Sequence, residues 1–572
     1  VLVLGVAAGL LSLAARCAYL QVLKAPELLD QARAQQERTI TLDPPRGLIL
    51  DRNGKELAVS LDVDSAFAEP GAIDDPSAAA WRLAPVLGMD AAELRGRLSS
   101  DRSFVWLKRK INPDLRRRIE ALDLRGVGFA RESRRFYPKR TLAAHVLGST
   151  GMDDQGLGGL EYAYDTRIKG TPGRIRALRD GRGGRVLDRA REEPTPGDGL
   201  VLTIDEVIQH IVERELDQAM GAGAAGAAAV VLLPKTGELL ALASRPTFDP
   251  NNYGAARDAA RRNRAVTDYY EPGSAFKIVT AAAALDAGRV HPNEVIWCEN
   301  GSIVVARHRF DEDRLPFGNL TFTEVLAKSS NVGTIKVARR LQPADFLEGI
   351  RVFGFGRRTG IELPGESPGM LRGVEAWSGL SQASLSIGQE IGVTTVQLAA
   401  MMGAIGNDGV WLRPRLVRAI LAAGGERQAV PEPAGSARRA VSARTARTLR
   451  RMLHSVTGDE GTGRAAGVPG YSVAGKTGTA QKVDQTGRYA RGRYVAWFAG
   501  LVPVEEPALA IVVMVDEPGG PRFHGGDVSA PVFARIAAPA LKYLGVPPDD
   551  DGTLVFDRSL ASRGAGRPGP PA

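Results

Sequence analysis

The stretch Glu271-Pro272-Gly273-Ser274-Ala275-Phe276-Lys277 places a serine hydroxyl three residues before a lysine amine. Its proline and glycine break the preceding structure, and an apolar, alanine-rich run then continues as far as Gly288. This pattern predicts a helix that begins near Ser274 and ends at the glycine. Because residues three apart share a helix face, the Lys277 amine can lie beside the Ser274 hydroxyl.

Such a pair has the chemistry of a nucleophile and its base. A helix N-terminus favours the negative charge of an attacking alkoxide, because its N–H groups are unpaired and its dipole end is positive. A desolvated lysine has a lowered pKa and can accept the serine's proton. The competing interpretation is that Ser274 caps a helix and Lys277 is a solvated surface charge, which only further motifs can decide.

Two further polar motifs follow in order along the chain. They are Ser329-Ser330-Asn331 and Lys476-Thr477-Gly478-Thr479. With the first motif they form the signature of penicillin-recognising serine enzymes. Catalytic roles are therefore predicted for Ser274, Lys277, Ser329, Asn331 and Lys476.

Each predicted role follows from the side chain. Ser329 would relay a proton, Asn331 would hold a substrate carbonyl or the lysine base, and Lys476 would attract a substrate carboxylate. The backbone N–H groups of Ser274 and Thr479 would form an oxyanion hole, where one donor contributes about 3 kcal/mol. Substrate binding along the strand edge is assigned to Thr477, Gly478 and Thr479.

Local structure can also be predicted around the third motif and around an earlier K-T-G sequence. Residues 471–475 predict a strand that leads into the motif. Lys235-Thr236-Gly237 is a second K-T-G, but it precedes the nucleophile and follows a proline. It predicts a hairpin turn with a structural role.

Length and composition limit the classes of function. A chain of 572 residues predicts two or three domains besides an anchor and a tail. The net charge of +9 is spread along the chain without a nucleic-acid-binding pattern, so no nucleic acid is expected, and anionic lipid or wall polymer suits the charge. The scattered histidines and the distant Cys17 and Cys298 predict no metal site, no cofactor and no disulfide.

The chain divides into four predicted parts. Residues 1–23 are apolar and predict a single-pass transmembrane anchor, although their uncharged run is shorter than the about 20 residues that span a bilayer. A cleaved signal peptide is the competing interpretation, but residues 21–24 offer no small-x-small cleavage site. Residues 24–200 predict a non-catalytic module with a hairpin at Asn53-Gly54.

The two C-terminal parts differ from the N-terminal parts in their predicted secondary structure and composition. Residues 201–545 predict an α+β domain, with strands over 201–205, 227–233 and 238–244 and a helix over 207–220. Residues 546–572 are rich in proline, glycine and charge and predict a disordered tail.

The chain resembles class B penicillin-binding proteins over most of its length, and among them the septal FtsI type. The first and second motifs carry this resemblance as Glu271-Pro272-Gly273-Ser274 and Lys328-Ser329-Ser330-Asn331. Further marks are Arg46-Gly47, Asp51-Arg52-Asn53-Gly54, residues 475–481, Phe498-Ala499-Gly500, Asp516-Glu517-Pro518 and Ala530-Pro531-Val532-Phe533. The last three favour the division paralogue over the elongation paralogue.

The resemblance implies a multi-domain α+β fold. A penicillin-binding-protein/β-lactamase-like transpeptidase domain, a sheet flanked by helices, would stand on an elongated N-terminal pedestal of the dimerisation type. It implies that Lys277 deprotonates Ser274, which attacks the carbonyl between the two terminal D-alanines of a wall stem peptide. An amine of a neighbouring stem peptide then resolves the acyl-enzyme and forms a cross-link.

The implied partners are stem peptides ending in D-Ala-D-Ala, β-lactams and divisome membrane proteins. Because no glycosyltransferase domain is visible, glycan polymerisation would belong to a septal SEDS-type, FtsW-like partner. The implied location is the bacterial inner membrane at the division site, with the catalytic domain on the periplasmic side.

Several alternatives share parts of this pattern. An elongation-specific class B transpeptidase has the same motifs, and a D-Ala-D-Ala carboxypeptidase differs mainly in accepting water. A β-lactamase would be shorter and would lack a pedestal. A β-lactam sensor or a non-catalytic divisome scaffold would not need the complete set of motifs.

Overall fold

The computed structural model describes residues 2–28, 37–179, 185–313, 315–484 and 486–549. Its first helix, Leu2–Ala18, continues as the π-helical turn Tyr19–Leu23. This span is long and apolar enough to cross a bilayer, and none of it is buried against the rest of the protein. These properties agree with the membrane anchor predicted over residues 1–23.

The N-terminal part combines short strands and helices. Its strands are β1 (Glu37–Leu42), β2 (Ile49–Leu50), β3 (Glu56–Ala68), β4 (Val105–Ile111), β5 (Val127–Phe136), β6 (Gly173–Arg179), β7 (Arg185–Glu192) and β8 (Gly199–Leu202). Its helices are Pro76–Leu87, Ala91–Leu98, Pro113–Glu120, Ala144–Leu147, Gly159–Ala163 and Asp165–Ile168. The hairpin predicted at Asn53-Gly54 joins β2 to β3, and Gly54 has the positive φ of 84° that such a turn favours.

A buried ion cluster ties this part together. The Glu161 carboxylate accepts hydrogen bonds from the guanidinium groups of Arg46 and Arg135, at 2.8 and 2.6 Å. All three side chains are almost fully enclosed. Charges this deeply buried are tolerated because they are paired and hydrogen-bonded.

The catalytic part is built on a five-stranded antiparallel sheet. Its strands are β9 (Gly226–Leu232), β10 (Leu239–Arg245), β19 (Ala474–Val483), β20 (Tyr489–Val502) and β21 (Leu509–Asp516), in the order β10-β9-β21-β20-β19. The strands predicted over 227–233 and 238–244 are therefore confirmed. Lys235-Thr236-Gly237 is the turn between them, and Gly237 has a φ of 70°.

Helices cover both faces of this sheet, as the predicted α+β class requires. Along β9, alternate side chains belong to two separate cores, because successive residues point to opposite faces. One core includes the helices Lys277–Asp286 and Thr395–Gly406, and the other includes Glu206–Gly221 and Gly525–Tyr543. The helix predicted over 207–220 is thus present and packs its apolar side chains on the sheet.

Smaller elements complete the catalytic part. Its remaining strands are β11 (Val295–Trp297), β12 (Ser302–Val305), β13 (His308–Asp311), β14 (Asn319–Thr321), β15 (Val410–Leu412), β16 (Val417–Leu421), β17 (Arg427–Ala429) and β18 (Ala437–Arg439). Its remaining α-helices are Asp258–Arg261, Arg264–Thr267, Phe322–Ala327, Asn331–Ala338, Pro343–Arg351, Ser381–Ser386 and Ala443–His454.

One sheet joins the N-terminal and catalytic parts. Its order is β17-β16-β8-β2-β3-β4, and β5 pairs with β3. Strand β8 pairs in parallel with β2 and antiparallel with β16, so the expected boundary at residues 200 and 201 lies inside a shared strand. The backbone hydrogen bonds of this sheet therefore couple the two parts.

One local prediction needs correction, and another falls mostly outside the described residues. The strand expected over 471–475 begins later, at Ala474, and contains the third motif instead of leading into it. The tail predicted to be disordered over 546–572 lies outside the described residues from 550 onward, and within residues 546–549 hydrogen bonds tie Val546 and Asp549 to the chain near residue 471. Tyr471 donates a hydrogen bond to the carbonyl of Val546 at 2.6 Å, and Ser472 N donates to the Asp549 carboxylate at 2.8 Å.

Candidate active site

Ser274 lies in the 3-10 turn Gly273–Phe276, which runs directly into the helix Lys277–Asp286. The turn is pressed against the third motif, since a Cβ on Gly273 would lie 2.4 Å from the Thr479 carbonyl oxygen. Gly273 also has a φ of 52°, a conformation that side chains other than glycine rarely adopt. The glycine before the serine therefore sets the distance between the nucleophile and strand β19.

Lys277 is fully buried, and its amine faces the second motif. Its Nζ atom donates to the Ser329 carbonyl at 2.6 Å and to Asn331 Oδ1 at 2.7 Å, and it lies 3.3 Å from Ser329 Oγ. Burial lowers the pKa of this amine to about 8, against the carboxylates of Asp313 and Glu312, which raise it. A substantial fraction of Lys277 is therefore neutral near physiological pH.

The contacts of Lys277 suit a neutral amine. A neutral amine has two N–H donors and one lone pair, and the carbonyl oxygens of Ser329 and Asn331 accept the two protons. The lone pair is then available to a hydroxyl proton. Among the described residues, the Ser274 hydroxyl makes no protein hydrogen bond, so no hydrogen bond joins it to Lys277 in this structure. Catalytic hydrogen bonds are often long before substrate binds.

The second motif forms a corner between two helices. Phe322–Ala327 ends just before it, and Asn331 is the first residue of Asn331–Ala338. Ser330 caps this second helix, because its hydroxyl accepts a hydrogen bond from Gly333 N at 3.0 Å. Ser329 takes a φ of 61°, a strained conformation for serine that projects both its hydroxyl and its carbonyl at Lys277.

The third motif lies on β19, the edge strand of the central sheet. Lys476 is fully buried, and its Nζ atom donates to Ser329 Oγ at 2.9 Å. A Cβ on Gly478 would lie 2.4 Å from the Pro272 carbonyl oxygen, so only glycine allows the strand to approach the serine turn. An edge strand also leaves alternate backbone groups unpaired, and these can bind an extended peptide.

A cleft of about 470 Å³ opens on this group of residues. Its lining includes Ser274, Ser329, Asn331, Thr477 and Thr479. The rings of Tyr494 and Phe523 stack with centroids 4.2 Å apart and line the same cleft. The three motifs, which are far apart in the sequence, therefore meet at one concave site.

Two known protein families match parts of this chain, and one of them covers the cleft. Residues 227–538 match the family described as the Penicillin binding protein transpeptidase domain, which is more than half of the chain. The chain belongs to the penicillin-binding proteins. Residues 41–202 match the Penicillin-binding Protein dimerisation domain.

Named relatives and solved structures agree with this family. The chain is 34% identical to the peptidoglycan D,D-transpeptidase FtsI of Escherichia coli, over 97% of this chain and 93% of the relative. It is 36% identical to stage V sporulation protein D of Bacillus subtilis, over 93% of this chain and 83% of the relative. The crystal structure of penicillin-binding protein 3 of Mycobacterium tuberculosis complexed with aztreonam superimposes with a TM-score of 0.71 and 33% identity, covering 89% of this chain and 98% of that chain. The resemblance to class B penicillin-binding proteins is confirmed, as is the enzyme class, a serine D,D-transpeptidase.

Several groups at the site of this penicillin-binding protein were not predicted from the sequence. Glu312 and Asp313 contact the second motif, and Thr462 shares a hydrogen bond of 2.8 Å with Thr477. Tyr494 and Phe523 add the aromatic wall. These residues carry no motif of their own, and only the folded chain brings them to the cleft.

Proposed function

We propose that this chain is the transpeptidase that cross-links peptidoglycan stem peptides at the division septum through an acyl-enzyme on Ser274. The observation that carries the proposal is the convergence of Ser274, Lys277, Ser329, Asn331 and Lys476 on one cleft beside an edge strand. An edge strand suits an extended stem peptide, and buried Lys476 suits its terminal carboxylate.

Acylation would begin with proton transfer from Ser274 Oγ to the Lys277 amine. The serine oxygen then forms an ester bond with the carbonyl carbon of the penultimate D-alanine. The negative charge that develops on the carbonyl oxygen is stabilised by the backbone N–H groups of Ser274 and Thr479. The C–N bond breaks, and the proton passes through the Ser329 hydroxyl to the nitrogen of the departing D-alanine.

Deacylation would reverse these roles. The amine of a neighbouring stem peptide attacks the ester carbonyl and loses its proton to Lys277. A new amide bond forms, the bond to Ser274 breaks, and the serine oxygen recovers a proton. β-Lactams would acylate the same serine.

The proposed domain organisation follows the sequence boundaries. Residues 1–23 would anchor the chain, 24–200 would form the pedestal, 201–545 would form the transpeptidase domain and 546–572 would form the tail. The sheet shared by β2, β8 and β16 supports a pedestal that holds the catalytic domain at a fixed height above the membrane. In the proposed topology the cleft lies on the periplasmic side of the membrane, within reach of the wall.

The septal assignment rests on the similarity to FtsI across nearly the whole of both chains. The predicted partners in this role are an FtsW-like glycan polymerase and other divisome membrane proteins. Depletion of the protein in its source organism separates this role from its rivals. Filamentous cells support the septal role, whereas round cells indicate elongation and normal vegetative cells indicate a sporulation role like that of the Bacillus subtilis relative.

Covalent labelling with a fluorescent penicillin tests the nucleophile. The protein should be labelled, and Ser274→Ala should abolish the label while the protein keeps its fold, because the hydroxyl bonds no other protein group in the described chain. Persistent labelling of the variant would contradict the assignment. A peptide donor ending in D-Ala-D-Ala, supplied with an acceptor amine, should yield the cross-linked product, whereas exclusive hydrolysis would indicate a carboxypeptidase.

A further inference from the structure

A short acidic segment, residues 311–313, lies beside the second motif although it belongs to a different element. It begins at Asp311, the last residue of the hairpin formed by β12 and β13, and Glu312 N donates to the Gly301 carbonyl at 2.9 Å. This bond holds the segment at the open end of the hairpin. The side chains of Glu312 and Asp313 then reach the cleft and the start of the helix Asn331–Ala338.

Glu312 binds the first turn of that helix. Its carboxylate accepts hydrogen bonds from Asn331 N at 2.6 Å and Val332 N at 3.2 Å, and a short one from the Ser330 hydroxyl. These N–H groups have no partner inside the helix, and the helix dipole favours negative charge at this end. One carboxylate therefore fixes the backbone and the cap of the motif at the same time.

Asp313 acts on the side chain of Asn331. The Asn331 Nδ2 atom donates to Asp313 Oδ1 at 3.2 Å and to the Asp311 carbonyl at 2.9 Å. An amide whose nitrogen faces two acceptors must turn its oxygen the other way. That oxygen is the atom that accepts the hydrogen bond from Lys277 Nζ at 2.7 Å.

We propose that Glu312 and Asp313 are positioning residues that hold Ser329 and Asn331 in place around the Lys277 amine. This inference rests on the proposed function, in which Lys277 is the base. Neither carboxylate touches the reacting atoms, so both act through the second motif.

The two carboxylates also act on Lys277 through their charge. The charged groups around its amine are Glu312, Asp313 and, across the Ser329 hydroxyl, Lys476. Negative charge near an amine favours its protonated form. Removal of a carboxylate therefore lowers the pKa of Lys277 and increases the fraction of neutral base at a given pH.

The test compares Glu312→Gln, Asp313→Asn and Glu299→Gln in the full-length protein. Glu299 is a matched control, because it pairs with Lys336 near the other end of the same helix, away from the motif. The second-order rate constant for acylation by a fluorescent penicillin is measured from pH 6 to 10, together with the melting temperature of each variant.

Each variant has its own expected result. Glu312→Gln places an amide N–H group against the hydrogen-bond donors of the second motif, so the motif must shift. The plateau rate of acylation should fall by about tenfold to a hundredfold, because the reacting groups are displaced. Asp313→Asn keeps the acceptor but removes the charge, and should shift the acid limb of the profile to lower pH. Asp313→Glu should restore the limb, and Glu299→Gln should match the wild type in both respects.

Different results would overturn the positioning role of Glu312 and Asp313 and the proposed transpeptidase function. Folded Glu312→Gln and Asp313→Asn proteins with the wild-type plateau and acid limb would overturn the positioning role alone. If Glu312→Gln fails to fold, Asp313→Ala removes the acceptor of Asn331 Nδ2 instead, and a folded Asp313→Ala protein with the wild-type plateau rate would overturn the positioning role. A wild-type protein that is not acylated would overturn the proposed function, and this inference with it.

Discussion

Lys476 Nζ donates a hydrogen bond to Ser329 Oγ over 2.9 Å, so the third motif contacts the second motif directly. The same hydroxyl oxygen lies 3.3 Å from Lys277 Nζ. Ser329 therefore stands between two buried lysines, and its hydroxyl is the group that can move a proton between the base and the substrate side of the cleft.

Ser329→Ala should slow acylation by a penicillin by about a hundredfold or more, the usual contribution of a proton-transferring group. The variant loses a side-chain hydroxyl that contacts both Lys476 Nζ and Lys277 Nζ. Rapid-quench measurement of the acylation rate constant checks this prediction.

A control for the Ser329→Ala variant should lower the free energy of unfolding without changing the acylation rate. Ser442 caps the remote helix Ala443–His454, where its hydroxyl accepts from Thr445 N at 3.2 Å. Ser442→Ala should lower the free energy of unfolding by about 1 kcal/mol and leave acylation unchanged. Equal acylation rates in the two variants would show that Ser329 has only a structural role.

Acylation should depend on pH through Lys277. Burial lowers the pKa of its amine to about 8, so the reactive neutral form dominates above that pH and is lost below it. The acylation rate constant should therefore rise with pH, reach half its maximum near pH 8 and fall about tenfold per unit well below that pH. A rate that stays flat from pH 6 to 9, in protein shown to be folded across the range, would contradict this assignment.

The sequence predicted the chemistry of the site better than its geometry. Ser274, Lys277, Ser329, Asn331 and Lys476 were all found as motifs, because each needs a fixed residue type at a fixed local spacing. The order of the motifs could not show that Lys277 would bond to Ser329 and Asn331 instead of Ser274. That choice depends on how two helices meet, which local spacing does not determine.

Fold prediction had a similar limit. Continuous apolar runs predicted β9 and β10, and apolar residues at helical spacing predicted the helix Glu206–Gly221, since these elements are buried in the core. The sheet that joins β2, β8 and β16 was missed, because pairing between strands so distant in the chain leaves no periodic signal. For the same reason, Glu312 and Asp313 could not be recognised from sequence.

Glu161→Gln should destabilise the pedestal strongly. Its carboxylate is buried between Arg46 and Arg135, and the amide would leave Arg135 without a compensating charge and Arg46 with only the carboxylate of Asp165. Loss of one partner from a buried ion pair typically costs about 3–5 kcal/mol. Glu93→Gln is the matched control, since its exposed pair with Arg97 should contribute less than about 1 kcal/mol. Denaturant unfolding measures both, and equal values would show that the buried cluster is not stabilising.

Gly273→Ala should disrupt the site through the backbone. The new Cβ would meet the Thr479 carbonyl oxygen at 2.4 Å in a residue whose φ is 52°, so the serine turn must move away from β19. We expect a loss of stability of about 1–3 kcal/mol from the strain and a fall in acylation of about a hundredfold from the displaced nucleophile.

Gly288→Ala separates these two effects. Gly288 ends the helix Lys277–Asp286 with a similar φ of 63°, but a Cβ there would meet nothing within 4 Å. This variant should therefore lose only about 1–2 kcal/mol through its conformation and should be acylated at the wild-type rate. Unfolding and acylation are measured on both proteins. If Gly273→Ala also kept the wild-type rate, the close approach of the serine turn to β19 would not be required for catalysis.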